Sequence, residues 1–288
     1  MQNINFDAFD NTKQELKKFK RQHKQIAVNK LTHPIVGWVV INIFLFFPFL
    51  IFLVLFGQLQ VAGYDIGFIF ICTFSTIANI LLLYGMFNGY YNTIRIAKFA
   101  SDNSWEYSAE GGGFLNKQNL RSVLGNQNIS GKVSGTIGGS DFIFGQTYGI
   151  RGFFWMMQIK LPNSYPHILL DAKSNNYYIS NVLKKSGDQK PTLVEYQFES
   201  NYNVWSTAPP AETLQILSPE LLHKIIDHGL ELDVEIVDNK LHLIGNKGRV
   251  NQKFMAAFFK TASEITKDLA GSSNNAKVKF ANTTDRLI

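Results

Sequence analysis

The sequence of 288 residues contains very little cysteine and little charge. Cys72 is the only cysteine, so the chain cannot form an internal disulfide bond, and it has no CxxC or Cys/His zinc pattern. Charged residues make up 17% of the chain and hydrophobic residues 45%, which excludes an intrinsically disordered protein. The lone cysteine also excludes a small secreted domain held together by disulfide bonds.

Charge is almost absent from one long stretch of the chain. Between Lys30 and Arg95 the only fully ionised side chain is Asp65. The uncharged runs on either side of it, 35–57 and 66–94, both exceed the roughly 18 residues that a membrane-spanning helix needs. We therefore expect two transmembrane helices, joined by a short connection into an antiparallel hairpin.

The positions of lysine and arginine predict the orientation of this hairpin. Seven basic residues precede the first run, none lies in the connection, and Arg95 and Lys98 follow the second run. Because cytoplasmic loops carry the excess of lysine and arginine in membrane proteins, we expect both termini in the cytoplasm. The predicted location is the plasma (inner) membrane, with a multi-pass topology.

A basic juxtamembrane helix is predicted within residues 1–33. Thr12 followed three residues later by Glu15 is the pattern of a capping box. Six basic side chains of this segment are candidates for contacts with anionic lipid headgroups: Lys13, Lys17, Lys18, Lys20, Arg21 and Lys24. The alternative is that these charges only fix the orientation of the chain during membrane insertion.

Two asparagines are the most polar residues inside the uncharged runs. Asn42 and Asn79 lie at almost the same distance from the connection, so an antiparallel hairpin brings them to the same depth. An amide that faces lipid is costly, and we therefore expect an interhelical polar contact between these two residues. The alternative is that each bonds separately to backbone or to another subunit.

After the hairpin, apolar and polar residues alternate as they do in β-strands. Nearer the C-terminus, the apolar residues recur at the spacing of a helix. The Gly138-Gly139 pair suits a turn between strands. Ser218 and Pro219 are the N-cap and first residue of a predicted helix. The segments with strand or helix patterns are 104–110, 128–162, 167–174, 192–200 and 202–207 for strands, and 218–229 and 250–269 for helices.

These patterns predict an α+β fold with a membrane anchor. The N-terminal transmembrane helical hairpin occupies 34–100 and is followed by a strand-rich cytoplasmic domain over 101–270, with two helices near its C-terminus. Residues 186–191 are a candidate subdomain boundary within that domain. The tail 271–288 has no periodicity and is expected to be disordered.

A polar patch is predicted on a hairpin that turns at Asp238-Asn239. This turn places His242 opposite Glu235, with two further acids nearby. The candidate residues for metal binding or acid–base chemistry are Glu231, Asp233, Glu235 and His242. The alternative is a solvated strand face with an ordinary cross-strand pair.

Recognisable catalytic motifs are missing from the sequence. It contains no GxxxxGK[ST] phosphate-binding loop and no GxSxG nucleophile motif. The part after the hairpin is nearly balanced in charge, and we expect no nucleic-acid partner. We predict no catalytic residue, no metal site and no cofactor.

Three segments resemble a family of uncharacterised two-span bacterial membrane proteins of unknown function. They are PHILLDAKSNN (166–176), YQFESNYNVWSTAPPAETLQILSPELLHKIIDHG (196–229) and DVEIVDNKLHLI (233–244), and they follow the basic N-terminus and the uncharged runs. The resemblance covers most of residues 30–260. It implies a membrane location and a cytoplasmic strand-rich domain, and it implies no substrate.

Together these observations favour a membrane-anchored binding or scaffolding module. The expected partners are the lipid bilayer, anionic lipids and a protein whose identity the sequence does not give. One alternative is a membrane-proximal enzyme without a recognisable motif, which requires a pocket of convergent polar groups. Another alternative is an accessory subunit of a transport assembly, whereas a scaffold is expected to expose an apolar patch or a strand edge.

Overall fold

A computed structural model shows this chain as two units. One unit is Thr12–Arg95, and the other combines Met1–Asn11 with Ile96–Ile288. The residues that the structure describes are 4–23, 65–109, 129–149, 152–175, 196–229, 231–245 and 250–284.

The unit Thr12–Arg95 contains helix α1 (Lys13–Gln22) and the larger part of helix α2 (Asp65–Asp102). The capping box predicted at the start of α1 is confirmed. The Thr12 hydroxyl accepts a hydrogen bond from the backbone N–H of Glu15, and the Glu15 carboxylate accepts one from the backbone N–H of Thr12. Leu16 and Phe19 form the buried side of this helix.

The predicted membrane hairpin over 34–100 is wrong. Among the residues that the structure describes, no helix is long and apolar enough to cross a membrane. The same finding contradicts the predicted multi-pass location in the inner membrane, with both termini in the cytoplasm. The run 66–94 is instead part of α2, which continues beyond it into charged residues. Near the C-terminal end of α2, Phe99 and Ala100 are buried in the core of the second unit. The first predicted span, 35–57, lies outside the described residues.

The second unit contains an antiparallel sheet of six described strands. Gly138 and Gly139 form the turn between the second and third strands, with φ values of 58° and 82°, and this confirms the predicted turn. Five strands are neighbours in chain order, and the sixth pairs with the fourth. The strands are β1 (Glu106–Ser108), β2 (Ile129–Ile137), β3 (Ser140–Gly149), β4 (Gly152–Ala172), β5 (Tyr202–Ser206) and β6 (Leu232–Gly245).

Four further helices belong to this unit: α3 (Tyr196–Asn201), α4 (Pro210–Ile216), α5 (Pro219–Gly229) and α6 (Gln252–Thr284). The predicted cap of α5 is confirmed, because the Ser218 hydroxyl accepts a hydrogen bond of 3.2 Å from the backbone N–H of Leu221. Two segments differ from the prediction. α3 is helical where the sequence favoured a strand, since Phe198 is buried and stacks on the Tyr202 ring. α6 continues to Thr284, past residue 271, where the sequence indicated disorder.

One face of the sheet packs against α6 and forms the main core. Phe259 of α6 lies at its centre. Its ring stacks on Trp105 with 5.1 Å between centroids and meets Phe99 and Phe142 edge-on. Because each buried ring removes a large apolar area from water, this cluster holds α6 on the sheet.

Strand β6 is a single bent strand and not the hairpin that the sequence predicted. It pairs with β4 along both of its halves, with Val234 opposite Leu170 and Leu243 opposite Met157. The register shifts between these halves, and Asp238 adopts a φ of 52°. Irregularities of this kind bend a strand without reversing it. The hairpin prediction failed because the partner of both halves is the distant strand β4.

Candidate functional site

Five polar side chains lie buried on the face of β4 and β6 that points away from the main core. Their exposed fractions range from 0% to 8%. They are His167, Asp171, Asp233, Glu235 and His242, and they are called the buried polar cluster below. Three of them belong to the predicted polar patch, and for these three the alternative of a solvated strand face is wrong. The fourth predicted residue, Glu231, precedes β6 and is exposed.

Glu235 joins the two histidines of the buried polar cluster. One carboxylate oxygen lies 2.9 Å from His167 Nε2, and the other lies 3.7 Å from His242 Nδ1. Seven residues of straight strand would separate Glu235 from His242 by roughly 23 Å. The bend in β6 therefore brings these two side chains together, in place of the cross-strand pairing that the sequence predicted.

Asp233 is held by two hydrogen bonds and lies in an environment that disfavours its charge. The backbone N–H of Ala172 and the side-chain amide of Asn175 each donate to Oδ1 over 2.8 Å. Oδ2 has no hydrogen-bond partner among the described residues. Burial raises the pKa of the Asp233 carboxyl to about 7, and the nearby Asp171 and Glu235 carboxylates act in the same direction.

His242 is fully enclosed. Burial lowers the pKa of its imidazole below the usual range, and the nearby Glu235 carboxylate opposes this shift. Neither ring nitrogen has a hydrogen-bond partner within the described part of the chain. A charged imidazole would need acceptors for both N–H groups, so the geometry favours the neutral ring.

The buried polar cluster contains the groups that acid–base catalysis uses, but its enclosure does not suit a substrate. An active site must bring its acid or base within hydrogen-bond reach of a bound molecule. Within the described ranges, no group of three His, Cys, Asp or Glu side chains is arranged to hold a metal ion. Sequence reasoning did not single out His167, although the alternation of 167–174 places it on the same strand face as Asp171.

The described basic residues among those predicted to contact lipid headgroups lie on α1. Lys20 Nζ lies 4.7 Å from the centre of the Tyr90 ring and 3.1 Å from its hydroxyl oxygen, and Lys13 Nζ lies 5.5 Å from the centre of the Tyr91 ring. Cations favour such positions over aromatic rings. The other described members, Lys17, Lys18 and Arg21, are exposed, and Lys24 lies outside the described residues.

The structure does not test the predicted contact between Asn42 and Asn79. Asn42 lies outside the described residues, and Asn79 lies on α2 at a position whose side chain is not described. The contact stays a prediction.

Helix α2 exposes large apolar side chains along one side. The exposed fractions are 52% for Ile77, 60% for Ile80, and 65% for both Leu81 and Tyr84. Their spacing of three, four and seven residues places them on one side of a helix. These four residues are called the α2 apolar face. Sequence reasoning missed it because the whole run was assigned to a membrane span, although the spacing itself is visible in the sequence.

A surface depression of about 310 Å³ lies beside the start of α6. Its lining consists of Ile4, Asn5, Phe6, Asp7 and Gln252. This lining offers one carboxylate and no histidine, lysine or cysteine. It therefore provides no pair of groups for acid–base or nucleophilic chemistry.

Comparisons with known proteins do not assign this chain to a family. No family model matches it, and no curated protein matches it. Among solved structures, the crystal structure of the mycobacterial trehalose monomycolate transport factor A, TtfA, is similar over 62% of this chain and 94% of that chain. The identity is 12% and the TM-score is 0.44, and a likeness at this level carries no argument about function.

Proposed function

We propose that this protein is a binding or scaffolding module, not an enzyme, and that it binds a protein partner through the α2 apolar face. The exposure of Ile77, Ile80, Leu81 and Tyr84 is the observation that carries this proposal. Single exposed apolar residues are common on proteins, but a contiguous apolar patch is typical of an interaction site. An amphipathic helix face of this kind binds by laying residues at i, i+3, i+4 and i+7 against an apolar partner surface.

The enclosure of the buried polar cluster supports the non-catalytic part of the proposal. His167, Glu235 and His242 are the closest set of acid–base groups described above, and all three are at least 92% buried. If the protein functions through surface contacts, the buried polar cluster has a structural role. The α2 apolar face, in contrast, is open to a partner.

Site-specific photo-crosslinking tests the proposal. A photoreactive residue at position 84 of the full chain is expected to form a protein adduct in cells. The same residue at Gln215, an exposed position on α4, is the matched control and is expected to form none. Leu81→Glu places a charge in the middle of the face and is expected to abolish the adduct at position 84. An adduct that survives Leu81→Glu, or no adduct at position 84, would contradict the proposal.

A further inference from the structure

The net positive charge of the chain belongs to one of its two units. The unit Thr12–Arg95 contains eight lysine and arginine residues and only two acids, Glu15 and Asp65. The other unit contains twenty basic and twenty acidic residues, so the formal net charge of +6 comes from Thr12–Arg95 alone. Five of the eight basic residues lie on α1, which therefore carries most of this charge.

Helix α1 turns three of its basic side chains to solvent. Lys17, Lys18 and Arg21 are exposed, and at about 100° per residue they fall within about 100° of the helix circumference. Leu16 and Phe19, on the opposite side of the helix, are buried. Because the apolar side of α1 is buried, the three charges point outward. Lys17, Lys18 and Arg21 are called the α1 basic face.

The two remaining basic residues of α1 have partners, and the α1 basic face has none. Lys13 and Lys20 lie over the rings of Tyr91 and Tyr90 on α2. In the described part of the chain, no carboxylate, aromatic ring or hydrogen-bond acceptor is bound to a side chain of the α1 basic face. The fold of the described residues therefore leaves these three charges uncompensated.

The rest of the unit supplies no carboxylate for this face. The Glu15 carboxylate accepts hydrogen bonds from the backbone N–H and the hydroxyl of Thr12. Residues 24–64 contain no aspartate or glutamate, so this segment cannot neutralise the face wherever it lies. Lys17 and Arg21 are four residues apart, and like charges at this spacing destabilise a helix. An anionic surface outside the chain would remove this repulsion.

The composition of α1 favours a fluid anionic surface over a protein or a nucleic acid. Protein interfaces are enriched in arginine and aromatic residues and depleted in lysine. α1 instead carries four lysines and one arginine, and its one aromatic residue, Phe19, is buried. Single-stranded nucleic acids stack their bases on exposed aromatic rings, which α1 does not offer. Lysine is a point charge on a flexible stem, which suits headgroups that have no fixed positions.

We propose that the α1 basic face binds the anionic headgroups of a lipid bilayer, with α1 lying along the surface of the bilayer. This site goes beyond the proposed function, because it differs from the α2 apolar face in its residues and in its chemistry. The contact is made by charge, since Leu16 and Phe19 are buried and are not available for insertion between lipids. It requires no membrane-spanning helix.

Sedimentation of the full chain with lipid vesicles tests the proposal. One set of vesicles contains phosphatidylcholine alone, and the other contains phosphatidylcholine with phosphatidylserine. The chain is expected to bind the phosphatidylserine vesicles more tightly. This preference is expected to weaken with salt, because the screening length falls from about 30 Å at 0.01 M to about 8 Å at 0.15 M ionic strength. Equal binding to both lipids, or a preference that salt does not change, would overturn the proposal.

Two triple variants separate this face from the net charge of the chain. Replacing Lys17, Lys18 and Arg21 by glutamine is expected to lower the affinity for phosphatidylserine vesicles by roughly a hundredfold, equivalent to about 3 kcal/mol for three charges near the surface. Lys17→Arg with Lys18→Arg keeps the charges and is expected to bind as the native chain does. The matched control removes three exposed lysines of the other unit and is expected to leave the affinity unchanged: Lys160→Gln, Lys253→Gln and Lys260→Gln. An equal loss in both triple variants would overturn the proposal.

Titration of the same proteins with duplex DNA identifies a different anionic partner. All substituted side chains are exposed, so each variant is expected to keep the helical circular dichroism of the native chain. Binding to DNA that depends on the α1 basic face, without binding to phosphatidylserine vesicles, would assign the face to nucleic acid and overturn the proposal. Binding to neither would also overturn it, and would leave these charges with a role in orienting the chain during membrane insertion.

Discussion

Replacing Asp233 by asparagine is expected to stabilise the protein, and to do so more strongly as the pH rises. The asparagine side chain has nearly the same shape as the native one and keeps an oxygen that accepts from Ala172 N–H and Asn175, both at 2.8 Å in the native chain. It carries no charge at any pH. The substitution therefore removes the cost of ionising a carboxyl among buried groups and preserves its hydrogen bonds.

The magnitude follows from the difference between the folded and unfolded pKa values of Asp233. Its pKa is 3.8 without perturbation and about 7 in the folded chain. Between these values the folded state binds a proton that the unfolded state has released, so stability falls as the pH rises. At 1.36 kcal/mol per pKa unit, the loss reaches about 4 kcal/mol above pH 7 and is less than half of that at pH 5. The stabilisation by Asp233→Asn is therefore expected to be about 3 kcal/mol larger at pH 8 than at pH 5.

Urea unfolding followed by tryptophan fluorescence measures this difference. Trp105, Trp155 and Trp205 lie in the same unit as Asp233, so their emission reports the unfolding of the sheet. Other groups titrate in both proteins, and their contributions cancel when the variant is compared with the native chain at each pH. Asp141→Asn, at an exposed position on β3, is the matched control and is expected to give no such difference.

The result that refutes this reasoning is a variant less stable than the native chain at pH 8, or an equal gain at both pH values. An equal gain would mean that the pKa of Asp233 does not rise on folding, and a less stable variant would mean that Asp233 is ionised and stabilised in the folded state. The carboxylate would then have a partner that offsets its burial, and the cluster would be held by charge pairing instead of by a neutral acid.

Three other substitutions test the fold at separate places. Thr12→Ala removes the hydroxyl that accepts from the backbone N–H of Glu15, and it keeps the backbone N–H that donates to the Glu15 carboxylate; it is expected to cost about 1 kcal/mol in urea unfolding, whereas Thr12→Ser keeps the hydroxyl and is expected to cost much less. Phe259→Ala empties the centre of the aromatic core and is expected to cost about 3–5 kcal/mol, with a smaller loss for Phe259→Leu. The pKa of His242 is lowered in the folded state, so its contribution opposes folding as the pH falls below 6.5, and His242→Phe is expected to become more stable relative to the native chain over the same range. An unchanged difference between the two proteins across this range would exclude that contribution of His242.

The sequence predicted the features whose partners lie within a few residues of one another. The box of Thr12 and Glu15, the Ser218 cap and the Gly138-Gly139 turn each depend on contacts within about three positions. Such contacts depend on local backbone geometry and not on the fold of distant segments. This is why they hold although the larger architecture was predicted incorrectly.

Features that depend on a distant partner were not predictable in the same way. The alternation of residues 230–243 around Asp238-Asn239 fits a hairpin as well as it fits a bulged, bent strand. Only the pairing of both halves with β4 decides between them. In the same way, a run without charge, such as 66–94, indicates that its side chains avoid water but does not indicate what they contact.

In the buried polar cluster, the difference between a hairpin and a bent strand changes the chemistry of the same residues. On a hairpin, Asp233, Glu235 and His242 would lie on a solvated face, without the burial that shifts the pKa values of Asp233 and His242. In the observed structure that face is buried, and the cost of burying its polar groups has to be offset. His167 offsets it for Glu235, the amides of Ala172 and Asn175 offset it for Asp233, and the shifted pKa values of Asp233 and His242 favour their neutral forms. The bend thus brings Glu235 and His242 together, and the shifted pKa values of Asp233 and His242 make the buried polar cluster a source of pH-dependent stability.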